Sequence, residues 1–230
     1  KMSQVINQVD DEDVDHLDAN AINAAYIAYR DQLGGFPPDD EELSAEQLTT
    51  LSSLYKSGRA PYTDMAIWGP FQHRIQKKIK LKGLRFTSSG EFAPIELYGP
   101  ADFESWRECY MVFRTGSIML EQITPSKLDA YEKTIRQFHD RYGKACWAII
   151  YQADVRARLE QVERIRRRGQ EAYESARCLG LSHPFDTNRP WECVWKELAE
   201  DYIFWNKEVV EPSMLYLAKT ANLTQLLADD

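Results

Sequence analysis

Apolar side chains recur at helical spacing through most of this chain. Ile22, Ala25, Tyr26 and Tyr29, stopped by Gly34 and Gly35, predict a helix over 18–33. Ser44 with Gln47 three residues on forms a capping box, followed by Leu48, Leu51, Leu54 and Tyr55 on one face of a short helix ending at Gly58. Pro70 suits the first turn of a helix running to about Leu81 and stopped by Gly83. Phe103, Trp106, Tyr110 and Phe113 lead a helix over 101–120, and Thr124 with Pro125 opens another that ends near Tyr142 and Gly143. From Lys144 to about Arg177 the pattern stays helical, with a weak point at Gly169. At roughly 100° per residue, Val155, Leu159, Val162, Tyr151, Ile165 and Trp147 form one apolar stripe on that helix. Trp191, Val194, Trp195, Leu198, Tyr202 and Trp205 mark an aromatic helix, which Pro212 breaks or kinks before a final helix through Leu217.

Period-two alternation occurs in one stretch, where Phe86 and then Phe92, Ile95 and Leu97 flank Ser88-Ser89-Gly90. The fold class is therefore mostly α: a helical bundle-like domain with one small β-hairpin near 84–98 and one long helix. Residues 1–43 read as an acidic arm plus the first helix, and residues 44–230 as the helical domain. No fixed repeat of 20–50 residues is evident, which disfavours a solenoid.

Charge divides the chain more sharply than hydropathy does. Over the full 230 residues the net charge is -8. Residues 1–46 alone carry -10, which leaves +2 over residues 47–230. The positive charge gathers at His73 to Arg85, with no acid in the segment, and at Arg156 to Arg168, where Glu160 and Glu163 intervene. Such clusters offer a contact surface for RNA or DNA. Arg74, Lys77 and Lys80 are expected to share the polar side of the helix from Pro70, with Lys82 and Arg85 extending the patch. Arg164, Arg167 and Arg168 form the second candidate group. The alternative is a solvated face: Glu160 to Arg164 and Glu163 to Arg167 are spaced as supporting i, i+4 pairs. Arg158 and Arg166 fall beside the apolar stripe and call for carboxylate partners, such as the acidic side of a neighbouring helix, or for heads that reach water over their own stems.

Catalytic motifs are absent: the sequence has no phosphate-binding glycine loop, HExxH, GxSxG or paired CxxC. His139-Asp140, the loop His183-Pro184-Phe185-Asp186, and Cys146 at a helix start are the remaining candidates. Each has a plainer structural reading, as a solvated dipeptide, a loop, and a small buried residue. The four cysteines are too dispersed for a disulfide framework or a zinc site. No enzyme activity, metal or cofactor is expected. Neither a secretory signal nor a membrane span is apparent, so an intracellular location is expected, with cytoplasm and nucleus left open. Six tryptophans could stack on bases, but five read as core, with Trp68 and Tyr98 the exposed exceptions beside turn glycines.

Several strings have a familiar order. Ala60-Pro61-Tyr62-Thr63-Asp64, Trp68-Gly69-Pro70 with His73-Arg74 and Lys77-Lys78, and Tyr98-Gly99-Pro100 ahead of Trp106 come first. The run Ile150 to Arg158, then Arg189-Pro190-Trp191 and Glu211-Pro212, follow. Together they resemble a region of protist mobile-element open reading frames that lies upstream of a CCCH zinc finger and a reverse transcriptase, over about residues 45 to 220. The resemblance implies a Gag-like retrotransposon module that binds nucleic acid or self-associates. This chain carries neither finger nor polymerase, nor the major-homology pattern of retroviral capsids, so no catalytic residue comes with the resemblance. The competing expectation is a protein-interaction scaffold, in which the aromatic C-terminal helix and the long helix dock a helical partner or a second copy without nucleic acid.

Overall fold

The computed structural model describes residues 16–58, 60–69, 80–86 and 92–228, with side chains over most of that span. Residues 1–15 of the acidic arm expected over 1–17, and the segment holding His73, Arg74 and Lys77, lie outside the described residues, whereas the Leu17 N–H already donates to the Thr49 hydroxyl at 3.3 Å. Helices dominate: α1 Ala19–Leu33, α2 Ala45–Lys56, α3 Phe103–Met119, α4 Pro125–Tyr142, α5 Trp147–Arg156, α6 Val162–Cys178, α7 Pro190–Glu200, α8 Tyr202–Trp205 and α9 Glu211–Ala228. Strands β1 Lys80–Phe86 and β2 Phe92–Tyr98 pair antiparallel, with Lys82 opposite Glu96. The helix expected from Pro70 through Leu81 therefore does not reach its predicted end, because Lys80 and Leu81 are already extended.

Local chemistry explains the helix ends. Asp18 accepts a hydrogen bond from the Ala21 N–H, and Gly34 closes α1 in the left-handed region at φ 78°. Both halves of the Ser44/Gln47 capping box are made. Asp102 caps α3 through the Ser105 N–H. Thr124 does not cap α4 with its own side chain. Its N–H and hydroxyl instead donate to the Glu192 carboxylate at 2.8 and 2.9 Å, and the Lys127 ammonium pairs with the same group. An acid from α7 thus sits at the positive end of α4, where a carboxylate is favoured.

The core is aromatic. Trp106 stacks on Tyr110 at 4.9 Å, and Tyr131 meets Trp195 edge-on at 4.9 Å. All six tryptophans are buried. Trp68, expected at the surface, packs edge-on against Phe113 and donates its indole N–H to the Thr63 hydroxyl. A short 3-10 turn, Met65–Trp68, folds it against α3 and removes it from the turn where glycine suggested exposure. Tyr98 falls in β2, its side chain outside what is described. Ala25 and Tyr29 of α1 join the same core as Leu48 and Leu51, and Gln32 Nε2 donates to the Ile118 carbonyl at 3.1 Å. The first helix accordingly packs with the helices beyond residue 44 and does not stand apart with the arm.

Residues 147–178 form one helical rod, α5 and α6 joined through a π-turn at Ala157–Gln161. Gly169 is not its weak point. A Cβ there would lie 2.5 Å from the Phe185 ring, so glycine provides the notch in which the returning loop seats an aromatic side chain. At Gly99 a Cβ would overlap the Tyr151 hydroxyl at 2.0 Å, and φ is 146°, so this turn also requires glycine. Four residues of the predicted stripe, Trp147, Tyr151, Val162 and Ile165, are buried, but the face is rotated so that Val155 and Leu159 are only half-buried and Asp154 and Arg158 are inside. Pro212 does not break the C-terminal helix. A π-turn at Asn206–Val210 precedes it, and the helix continues through Ala228. The break lies at Asp201, whose ψ of 74° separates α7 from α8 and whose carboxylate accepts from the Phe204 N–H and from Gln161 Nε2.

Candidate functional site

Lys80 does not join the helical row that spacing suggests for Arg74, Lys77 and Lys80. Arg74 and Lys77 lie outside the described residues. Lys80, Lys82 and Arg85 occupy β1, opposite Tyr98, Glu96 and Ala93, so the 3.6-residue geometry that would group Lys80 with the others does not hold there. β1 runs beside α5, whereas Arg164, Arg167 and Arg168 lie on α6, at least roughly 12 Å further along the rod at 1.5 Å per residue.

Nearby acids occupy most of the arginine cluster. Arg156 pairs with Glu208, Arg158 with Asp154, Arg164 with Glu160 at 3.6 Å, Arg166 with Glu163 at 3.0 Å and Arg168 with Glu197 at 3.0 Å. The expected pair of Glu163 with Arg167 is not made. Glu163 accepts from the Ala60 N–H and bonds Arg166, which holds it toward the body and leaves Arg167 exposed with no carboxylate among the described residues. Exposed pairs such as Arg168 with Glu197 are worth only about 0–1 kcal/mol, so they do not lock those guanidinium groups.

Arg158 has the carboxylate partner its position demanded, but on its own helix and not across to a neighbour. Its Nη2 lies 2.7 Å from Asp154 Oδ2, its Nη1 donates to the Thr63 carbonyl at 2.8 Å, and its guanidinium covers the Tyr62 ring at 5.2 Å. Asp154 also accepts from Tyr131 Oη at 2.8 Å and Trp106 Nε1 at 3.2 Å. Burial pushes the Tyr131 phenol well above its ordinary pKa, so its proton stays in place as a donor. This knot ties α3, α4, the rod and the 60s segment together. Its polar groups bond one another in the interior, which is the pattern of a structural network.

The catalytic candidates are scattered. His139 stacks on Phe103 at 4.8 Å, His183 Nδ1 accepts from the Phe185 N–H, and Asp186 accepts from the Asn188 N–H. Cys146 is fully buried with its thiol toward the Ser213 carbonyl, and burial raises its pKa, the reverse of an activated thiolate. Among the described residues no group of three His, Cys, Asp or Glu side chains could hold a metal ion.

The surface feature that the aromatic pattern did not reveal lies at the C-terminal end. Tyr202 is 77% exposed, Ile203 66%, Met214 56% and Leu217 37%. From Leu217 to Asn222 every residue of α9 is exposed. The tryptophans that marked this region, Trp191, Trp195 and Trp205, point inward and leave the outer surface to other side chains. No protein-family model, curated protein or solved structure matches this chain. Among the described residues no helix is long and apolar enough to cross a membrane, so the apolar end of α9 has no reading as a span. A signal for this surface was present in the sequence: Met214, Leu217, Ala218 and Ala221 follow the i, i+3, i+4, i+7 pattern of an apolar face.

Proposed function

We propose that this chain is a non-enzymatic assembly module that associates with copies of itself through the α8 to α9 surface. The observation that carries this reading is the stripe of exposed apolar side chains, Met214, Leu217, Ala218 and Ala221, along α9, with Tyr202 and Ile203 exposed on α8. Apolar surface left in water on an ordered element is stabilised when a second surface covers it. A mostly helical body with an exposed apolar stripe on its last helix suits a Gag-like role, in line with the sequence resemblance. Sedimentation of the full chain over a concentration series, at low and high salt, tests the proposal. A salt-insensitive oligomer supports it, and a monomer throughout overturns it.

A second reading, nucleic-acid contact, is favoured by the exposed Arg167, which has no carboxylate among the described residues, between Arg164 and Arg168, and by the three basic residues of β1. In that case RNA or DNA binding falls steeply with salt, and reversing the charge of Arg164, Arg167 and Arg168 flattens that dependence. Binding that the triple reversal leaves unchanged would remove α6 from the interface.

A further inference from the structure

We infer that the partner of the α9 stripe is the N-terminal segment Met2 to Val9 of a second copy, so that copies join head to tail; this rests on the assembly reading above. Met2, Val5, Ile6 and Val9 follow the i, i+3, i+4, i+7 pattern of an apolar helix face, the same spacing as Met214, Leu217, Ala218 and Ala221. The chain therefore carries an exposed apolar stripe and, at its other end, a segment of the same length and period to cover it. A second α9 would bring only two large side chains of its own, with two alanines, whereas all four residues of the N-terminal stripe are larger than alanine. The alanines at 218 and 221 leave room for Val5, Ile6 and Val9, which lets two helices approach to the roughly 8–10 Å of a packed pair.

Charge is kept out of this contact. The acids of the arm begin at Asp10, and neither residues 1–9 nor residues 212–228 contain one. Lys1 and Lys219 are the only charged residues of the two segments. Salt, which screens exposed charges, should therefore not weaken the association.

The two elements start from opposite ends of the body. The arm joins at Leu17, whose N–H donates to the Thr49 hydroxyl of α2. Leu51 and Tyr55 of the same helix meet the C-terminal part of α3, Leu51 against Gly116 and the Tyr55 hydroxyl 2.7 Å from Ser117 Oγ. At the start of α9 the Ser213 carbonyl faces the Cys146 thiol, next to Trp147, whose ring packs edge-on with Phe103 in the first turn of α3. From Phe103 to Ser117, α3 rises about 21 Å at 1.5 Å per residue. Fully extended, the chain from Leu17 back to Val9 spans at most about 28 Å, so reaching its own α9 would use most of that length. A neighbouring copy imposes no such stretch. Unlike surfaces at the two ends of one body make a heterologous contact, which adds copies in a ring or an open row and does not stop at two.

Sedimentation of the full chain and of two variants tests this. Ile6→Asp places a charge on the N-terminal stripe, and Leu217→Glu places one on α9 at an exposed position. Each variant alone should associate at least about tenfold more weakly than wild type. Mixed, they should form a one-to-one pair that grows no further, because the mixture still holds one intact N-terminal stripe and one intact α9. An oligomer that Ile6→Asp leaves intact overturns the N-terminal segment as the partner while the assembly reading stands. Tighter association of Ile6→Asp than of wild type overturns the head-to-tail contact, since the segment then covers α9 of its own chain. Two variants that stay monomeric when mixed also overturn it, and a monomeric wild type overturns both readings.

Discussion

Removing the guanidinium from the buried knot with Arg158→Met should cost this protein more than any surface change. In the native chain Arg158 Nε lies 3.1 Å from each Asp154 oxygen, Nη2 is 2.7 Å from Oδ2, and Nη1 is 2.8 Å from the Thr63 carbonyl. Methionine fills much of the volume and supplies none of these donors. Asp154, with no exposed surface, then keeps only the neutral donors Tyr131 and Trp106, and the Thr63 carbonyl loses its Arg158 partner. Breaking a buried ion pair from one side costs about 3–5 kcal/mol, a large fraction of a typical stability of about 5–15 kcal/mol. For a chain of this size that corresponds to a fall in Tm of roughly 6–20 °C. Urea unfolding followed by circular dichroism measures it. The double variant Asp154→Leu with Arg158→Met removes both charges, and its loss should be smaller than the sum of the two single losses by about 2 kcal/mol or more. A single-variant loss below about 1 kcal/mol, or losses that simply add, would mean that water reaches the pair and that the knot is not a buried network.

Two further outcomes follow from the packing. Gly169→Ala should destabilise the native chain, because its Cβ falls 2.5 Å from the Phe185 ring, yet stabilise a Phe185→Ala chain, where only the helix preference of about 1 kcal/mol for alanine remains; the same sign in both backgrounds by urea midpoint would refute the notch. For Glu192, burial opposes the charged form, but the Lys127 ammonium and the two Thr124 donors outweigh it and hold the carboxyl below its usual range. A depressed folded-state pKa gives stability that is present above the unfolded value of about 4.3 and lost as the pH falls through the folded value. The advantage of wild type over Glu192→Gln should thus be flat near neutrality and shrink below about pH 4, and an advantage that grows on acidification would contradict the assignment.

Helix positions were readable because their signals are local. Asp18, Ser44 with Gln47, Pro125, and the glycines at 34 and 143 all act within a turn of where they stand, and the helices start and stop beside them. Orientation was less readable, because it depends on which partners arrive from elsewhere. On the long rod the hydrophobic count centres the buried face near Val155 and Leu159, whereas the face that is buried keeps Trp147, Tyr151, Val162 and Ile165 and is rotated to take in an ionic pair. Once Asp154 has Arg158, Tyr131 and Trp106 as donors, the desolvation cost that keeps charges outside is offset, and the rod turns that side inward. Trp68 fails in the same way, since a glycine neighbour marks a turn but does not say which side of the turn meets α3.

The same logic separates the two functional readings. A cluster of arginines in sequence is a supply of charge, and its availability depends on acids that the local pattern only partly predicts. Glu197 and Glu208 come from α7 and the second π-turn to meet Arg168 and Arg156, while Glu163 is drawn off Arg167 by the Ala60 N–H. An apolar stripe differs, because no distant charge can satisfy it; only covering removes it from water. On α9 the body covers Pro212 and Ser213 and meets Tyr216, with Met214, Leu217, Ala218 and Ala221 still exposed. The demand for a partner is therefore stronger at that stripe than at the arginines, and a chain truncated after Tyr216 should keep the fold of the body while losing self-association.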